Sequence, residues 1–278
     1  GGLTNVTGIA AGVYHNLVLT SGLVDGKLPQ EIAAFGAIGN KTYGDAPFQV
    51  VLPQTTSGLP ATLSVKSGPA TVSGNTVTLT GAGTVVLAAR HSGGLYHNAT
   101  QEVTVSFEVA KANQTIAAFE AIGSKVYGDI FEVPVPVAQS GLPVELSVKS
   151  GPATVSGNSV TITGVGAVVL AANQAGNGNY LAAQEVTMSF EVAKANQTIG
   201  AFEAITGKIY GEMFQVAVPA ATSVLPVTLS VKSGPAFMNG NTVALNGIGT
   251  VVLAATQVGN EYFNAAPEVT VTFDVAKR

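Results

Sequence analysis

Apolar and polar positions alternate with a period of two along most of this chain, and residues 113–195 show it most clearly. Phe131, Val133, Val135 and Val137 alternate with Glu132, Pro134 and Pro136. Val144, Leu146 and Val148 alternate with Glu145, Ser147 and Lys149. Such spacing places one face of a strand in a core and the other in water. The two prolines cannot donate to a ladder, so residues 131–137 predict an edge strand. Ala153-Thr154-Val155 and Val160-Thr161-Ile162-Thr163 flank Ser156-Gly157-Asn158-Ser159. That is a tight hairpin, with Gly157 and Asn158 expected at positive φ. Residues 167–172 form a continuous apolar run, which predicts a central strand. Residues 185–192 alternate again, and residues 115–119 add a first short strand. Seven short strands result, and no 3.6-residue apolar stripe exceeds two turns.

The same pattern recurs. Ser-Val-Lys-Ser-Gly-Pro-Ala begins at Ser64, Ser147 and Ser230, spaced 147 − 64 = 83 and 230 − 147 = 83 residues. Tyr43-Gly44-Asp45, Tyr127-Gly128-Asp129 and Tyr210-Gly211-Glu212 recur as well, as do Val-Val-Leu-Ala-Ala runs from Val85, Val168 and Val251. A constant period of this size marks one module copied in tandem. The boundaries read as 29–112, 113–195 and 196–278, preceded by an N-terminal extension, 1–28, outside the repeat. Each module has enough chain for one small core. The expected fold class is all-β: three tandem immunoglobulin-like antiparallel β-sandwiches in an extended rod. The joins, such as Phe190 to Ile199, contain no Gly, Pro or Ser cluster, so the last strand of one module is expected to run almost directly into the next. Strands near ten residues at about 3.3 Å each imply modules roughly 35 Å long and three in line near about 100 Å.

Composition narrows the function. Charged residues are 10% of the 278, the apolar fraction is 46%, and the net charge is −4. Low charge with ordinary hydrophobicity argues against disorder. Twelve basic residues spread over three modules build no phosphate-binding stripe, so nucleic acid is not an expected partner. There is no cysteine, which excludes disulfides, thiolate metal sites and a Cys nucleophile. No apolar stretch reaches the length of a membrane span. Gly1-Gly2 at one end and Lys277-Arg278 at a repeat seam read as ends cut within a longer polypeptide.

Candidate chemistry is thin. His91 and His97 share a loop and could supply two metal-binding nitrogens, but modules two and three place Asn173 and Leu181 at roughly those positions, so they read as variable loop residues. Asp45, Asp129 and Glu212 follow Tyr-Gly as turn-stabilising acids. One acid per module, with Glu102, Glu185 or Glu268 elsewhere, falls short of a calcium ligand set. Lys66, Lys149 and Lys232 sit at wet-face positions, which disfavours isopeptide bonds. Tyr43, Tyr127 and Tyr210 read as tyrosines pinning a loop. No Gly-x-Ser-x-Gly elbow or phosphate loop occurs. No catalytic, metal or cofactor residue is assigned.

The module motifs Asn-Gln-Thr-Ile, Tyr-Gly-Asp, Ser-Gly-Leu-Pro-Val, Gly-Pro-Ala-Thr-Val-Ser-Gly-Asn, Gly-Asn-Tyr and Val-Ala-Lys resemble bacterial immunoglobulin-like repeats, over residues 29–278. The resemblance implies a non-enzymatic stalk or adhesion array of a secreted or surface-anchored protein, with neighbouring repeats as partners. The stretch from Asn5 to Leu19 resembles half a blade of the regulator-of-chromosome-condensation type of propeller. An apolar strand there, through Val13, Tyr14, Leu17, Val18 and Leu19, could add to a sheet edge of an identical subunit, giving an extracellular filament or surface layer as an alternative. A carbohydrate-binding module is a weaker alternative, since tryptophan is absent and aromatics are only 6%.

Overall fold

The computed structural model of the protein describes residues 26–278. Among the described residues there are strands and no helices. The chain divides into two compact units. One holds the residues up to Thr115 together with Ala175–Gln184; the other holds Ile116–Gln174 and Glu185–Arg278.

Seven strands recur in each module. The first module has β1 (Lys41–Thr42), β2 (Phe48–Gln49), β3 (Thr62–Ser67), β4 (Ala70–Ser73), β5 (Thr76–Leu79), β6 (Gly83–Arg90) and β7 (Val103–Ala110). The second has β8 (Lys125–Val126), β9 (Ile130–Glu132), β10 (Glu145–Ser150), β11 (Ala153–Ser156), β12 (Ser159–Ile162), β13 (Gly166–Asn173) and β14 (Val186–Ala193). The third has β15 (Lys208–Ile209), β16 (Met213–Gln215), β17 (Thr228–Ser233), β18 (Ala236–Asn239), β19 (Thr242–Leu245), β20 (Gly249–Thr256) and β21 (Val269–Ala276). Each module folds into a four-stranded and a three-stranded sheet, ordered β1-β7-β6-β3 with β2-β5-β4 in the first. The second repeats this as β10-β13-β14-β8 with β11-β12-β9, and the third as β15-β21-β20-β17 with β16-β19-β18. These are three tandem immunoglobulin-like β-sandwiches. All pairings between strands are antiparallel except the short β1:β7, β8:β14 and β15:β21 pairs, which are parallel.

The core lies between the two sheets, where period-two alternation puts it. In the first module Val85, Leu87, Phe107 and Val109 meet Val77 and Val50. The second and third cores repeat these positions with Val168, Leu170, Phe190 and Val192, and with Val251, Leu253, Phe273 and Val275. An edge-to-face pair crosses each core, at centroid distances of 5.8 Å (Phe48–Phe107), 6.0 Å (Phe131–Phe190) and 5.9 Å (Phe214–Phe273). Lys41, Lys125 and Lys208 cover the rings of Phe48, Phe131 and Phe214 at 4.6, 4.2 and 4.0 Å, a cation–π cap on each core.

The recurring Ser-Val-Lys-Ser-Gly-Pro-Ala segment has a structural reason at nearly every position. Val65, Val148 and Val231 point inward. The register then slips, so that Lys66, Lys149 and Lys232 are the extra residues of a β-bulge. Their ammonium groups reach Glu102, Glu185 and Glu268 on the exposed side. Gly151 follows with φ 99°, and a Cβ there would lie 2.2 Å from the Ala167 carbonyl oxygen. Gly68 and Gly234 repeat that approach.

Several sequence expectations are corrected. Residues 115–119 are not a strand: only Ile116 pairs there, through one bridge to Ala138. The seventh strand is instead the two-residue β8. The strand read through 131–137 ends at Glu132, because Pro134 has no N–H and the alternation inverts at Pro136, which is buried while Val137 is exposed. In the hairpin only Gly157 has positive φ, 63°, and Asn158 does not. The longest strands have eight residues, not ten. Residues 194–207 separate β14 from β15, so no strand runs through the join.

Val224 stands at φ 64° where the first two modules have Gly58 and Gly141, at 76° and 74°. A β-branched residue in that region is strained. Val224→Gly is expected to stabilise the third module by about 1–2 kcal/mol in urea unfolding; no change or a loss would contradict the strain. Gly151→Ala is expected to cost the second module about 3 kcal/mol or more, because backbone must move. Gly157→Ala, with open space around its Cβ, is expected to cost only about 1 kcal/mol. Equal losses would contradict the close-approach account.

Candidate functional site

The recurring feature with the most polar groups brought together is a clamp between a chain segment and a turn. In the second unit the segment after β14 runs beside the turn at 260–264. Ala195 N–H donates to Tyr262 O at 2.9 Å, and Asn264 N–H donates to Ala195 O at 2.9 Å. Lys194 Nζ donates to Asn260 O at 2.6 Å. Two residues on, Gln197 is 3% exposed. Its amide donates to Asn264 O at 2.6 Å and to Gln257 Oε1 at 2.5 Å, and its Oε1 accepts from Ser223 Oγ. The turn is shaped by Asn260 Oδ1, which accepts from the N–H groups of Tyr262 and Phe263, both at 2.9 Å. A buried side-chain amide with its donors and acceptor engaged holds its partners in one arrangement.

The first unit contains two equivalents. Ala112 N–H donates to Asn179 O and Leu181 N–H to Ala112 O, both at 2.9 Å. Lys111 Nζ reaches Asn177 O at 2.7 Å and Gln114 Nε2 reaches Leu181 O at 2.7 Å. Asn177 Oδ1 accepts from the N–H groups of Asn179 and Tyr180. At the start of the described chain, Leu28 N–H donates to Tyr96 O at 2.8 Å and Asn98 N–H to Leu28 O at 2.9 Å. Gln30 is buried beside it, accepting from Ser57 Oγ and donating to Asn98 O.

Aromatic rings complete the clamp. Tyr127 stacks on Tyr262 at 4.6 Å and 20° and meets Phe263 edge-on at 5.4 Å. Tyr43 meets Tyr180 edge-on at 5.4 Å. Tyr43 and Tyr127 thus pin a loop, as expected, and the loop is the Asn-shaped turn. The Glu261 carboxylate beside Tyr262 pushes its phenol above the ordinary tyrosine value, and burial adds to this. A raised value favours the neutral phenol in the stack, so that stabilisation is complete below the ordinary tyrosine range and is lost as pH rises through the raised one.

The other sequence candidates fall into place around this frame. His91 aligns with Gln174 and Gln257, and His97 with Tyr180 and Phe263, rather than with Asn173 and Leu181. His91 Nδ1 accepts from Gly93 N–H at 3.0 Å and lies 2.9 Å from Gln30 Nε2. It stands in for the glutamine oxygen of the third module's clamp, so the two histidines serve separate parts of it. Asp45 and Asp129 accept the N–H groups of Thr42 and Val126 at 2.9 and 3.0 Å, and Glu212 accepts from Ile209 at 3.4 Å; each acid stabilises its turn. Lys66, Lys149 and Lys232 are exposed and paired. A hydrogen bond from Lys149, helped by Asn173, holds the Glu185 carboxyl below the ordinary glutamate value against the opposing effect of desolvation. That contribution is present above the ordinary range, disappears as pH falls through the lowered value, and is weakened by salt at this exposed site. A groove of about 530 Å³ in the first module is lined by Ile38, Lys41, Phe48, Val51 and Leu52 among others; none of its lining residues is an acid or an imidazole. The assembly residues Val13, Tyr14, Leu17, Val18 and Leu19 lie outside the described residues, as does the blade-like stretch.

No protein-family model matches the sequence, and no curated protein matches it. Among solved structures, the first three extracellular domains of mouse protocadherin-24 align over 95% of this chain and 100% of theirs, at 15% identity and TM-score 0.34. The corresponding three domains of Drosophila N-cadherin align over 88% and 100%, at 12% and 0.32. The insect immune protein hemolin aligns over 90% and 76%, at 12% and 0.33. The sheet orders given above carry the fold assignment.

Gln197→Ala is expected to cost about 2–3 kcal/mol, because it strands the partners of a buried amide, and to speed amide exchange at Ala195 and Asn264. Unchanged exchange at those two amides would show that the glutamine does not hold the clamp.

Proposed function

We propose that the chain is a non-catalytic spacer or adhesion array of an exported, bacterial-type surface protein, built of modules at 29–112, 113–195 and 196–278. Its partners are the neighbouring repeats. The observation that carries this reading is the clamp: three times, backbone pairing and a buried glutamine fasten a chain segment to a turn, which Asn177 and Asn260 shape in two of the three. Such fastening removes the hinge that a flexible linker would provide. The polar groups that recur from module to module serve turns, bulges and clamps, so their repetition has a mechanical reason.

A stiff spacer predicts an elongated small-angle scattering profile for the full chain, with a radius of gyration well above the roughly 19 Å of a compact chain of this length. A compact profile, or one that broadens as freely hinged beads do, rejects the reading.

A further inference from the structure

We propose that the end face of the third module, around Tyr210, Pro235 and Gly247, is a docking surface for the Asn-shaped turn of a further module of this kind. The inference extends the clamp reading above to a face that has no occupant among the described residues.

The seat is the same in all three modules. Tyr43, Tyr127 and Tyr210 are each tied by their N–H to the end of the module's last strand, at Ala110 O, Ala193 O and Ala276 O, with distances of 2.8, 3.0 and 3.1 Å. In the first module the seat is filled. Tyr43 is half-buried against Tyr180, Ala82 N–H donates to Asn179 Oδ1 at 3.0 Å, and a Cβ on Gly81 would meet that same oxygen at 3.1 Å. The second seat is filled too: Tyr127 is half-buried on Tyr262, whose ring lies 3.8 Å from where a Cβ on Gly164 would be. In the third module a Cβ on Gly247 would meet only Pro235, and Tyr210 is 51% exposed. Lys277 stands where Lys111 and Lys194 hold the turn.

The occupant follows from the turns. A docking turn also receives a chain segment through paired backbone hydrogen bonds. Both Asn-shaped turns are already filled, Asn179–Leu181 by Ala112 and Tyr262–Asn264 by Ala195, and the turn at Tyr96–Asn98, with Gly94 in place of the asparagine, is filled by Leu28. Among its described residues a second copy of the chain therefore has no open turn to offer. The partner must bring its own, with an Asn-capped bend and an aromatic residue at the position of Tyr180 or Phe263, and must pair with Arg278, which stands where Ala112 and Ala195 do.

The test replaces Arg278 with a second copy of residues 195–278, which folds as a module here, and follows amide exchange at Tyr210 and Val275–Lys277 by mass spectrometry. The added module is expected to slow exchange there by about tenfold relative to the original chain. Tyr210→Ala should abolish that protection, Tyr210→Phe should retain it, and Tyr210→Ala should leave the original chain unchanged. Nitration of Tyr210, slowed in the extended protein, reads the same contact without substitution. Unslowed exchange and nitration would overturn the proposal, as would loss of protection only on removing residues elsewhere. Concentration-dependent self-association of the original chain that Tyr210→Ala abolishes would also overturn it, by making a second copy the occupant. Tyr127→Ala in the same protein separates the two readings: if it loosens Ala195 while Tyr210→Ala does nothing, the docking inference alone fails. If neither variant has an effect, the spacer reading fails with it.

Discussion

A backbone that leaves the last strand of a sandwich must find partners for its N–H and C=O groups before it enters the next element. In this protein the partners come from a turn, pulled into shape by the side chains of Asn177 and Asn260 in two clamps and carrying Gly94 in that place in the first. The segment pairs with that turn for one residue only, at Leu28, Ala112 and Ala195. One bridge would fray on its own. The glutamine two residues later prevents this, because its amide is buried among partners it cannot leave without exposing unpaired polar groups. The tyrosine seat, the lysine reaching the turn and the small residues beneath it all presuppose that pairing.

The rest of each module is built to present the clamp repeatedly. The bulge that expels Lys66, Lys149 and Lys232 also brings the following glycine against the start of the central strand, and Pro69, Pro152 and Pro235 then lie against Gly81, Gly164 and Gly247. A bulge, a close approach and a proline contact thus shape the end face on which the turn docks. Tandem modules of this kind gain stability from nearest neighbours as well as from their own cores, and the cation–π cap and the edge-to-face phenylalanine pair give each core the same internal frame.

The parts legible in the sequence were those governed by local periodicity. The alternation in β10 and β14, the apolar run of β13 and the Gly-Asn hairpin between β11 and β12 follow from neighbouring residues alone. What escaped was non-local. β8 has two residues, and its parallel partner lies at the far end of the module, so no pattern in Lys125–Val126 marks it. The inversion at Pro136 depends on packing. Gln30, Gln114 and Gln197 recur within a visible motif, but a glutamine carries no signal of burial, and its partners sit between 26 and 68 residues away. The loop around His91 has no periodicity of its own, so only the 83-residue period marks its equivalence with Gln174 and Gln257. Tyr43 and Tyr127 read as loop pins from their motif, yet the loop each pins belongs to a segment far along the chain.

On this reading the Gln197 clamp joins the second and third modules without a hinge. Residual dipolar couplings on the intact protein test it most directly, by reporting whether β13 and β14 share one alignment frame with β20 and β21. A single tensor fitting all four strands with equal magnitude is the predicted result. Two tensors of different magnitude would mean that the modules reorient independently, and would contradict the account.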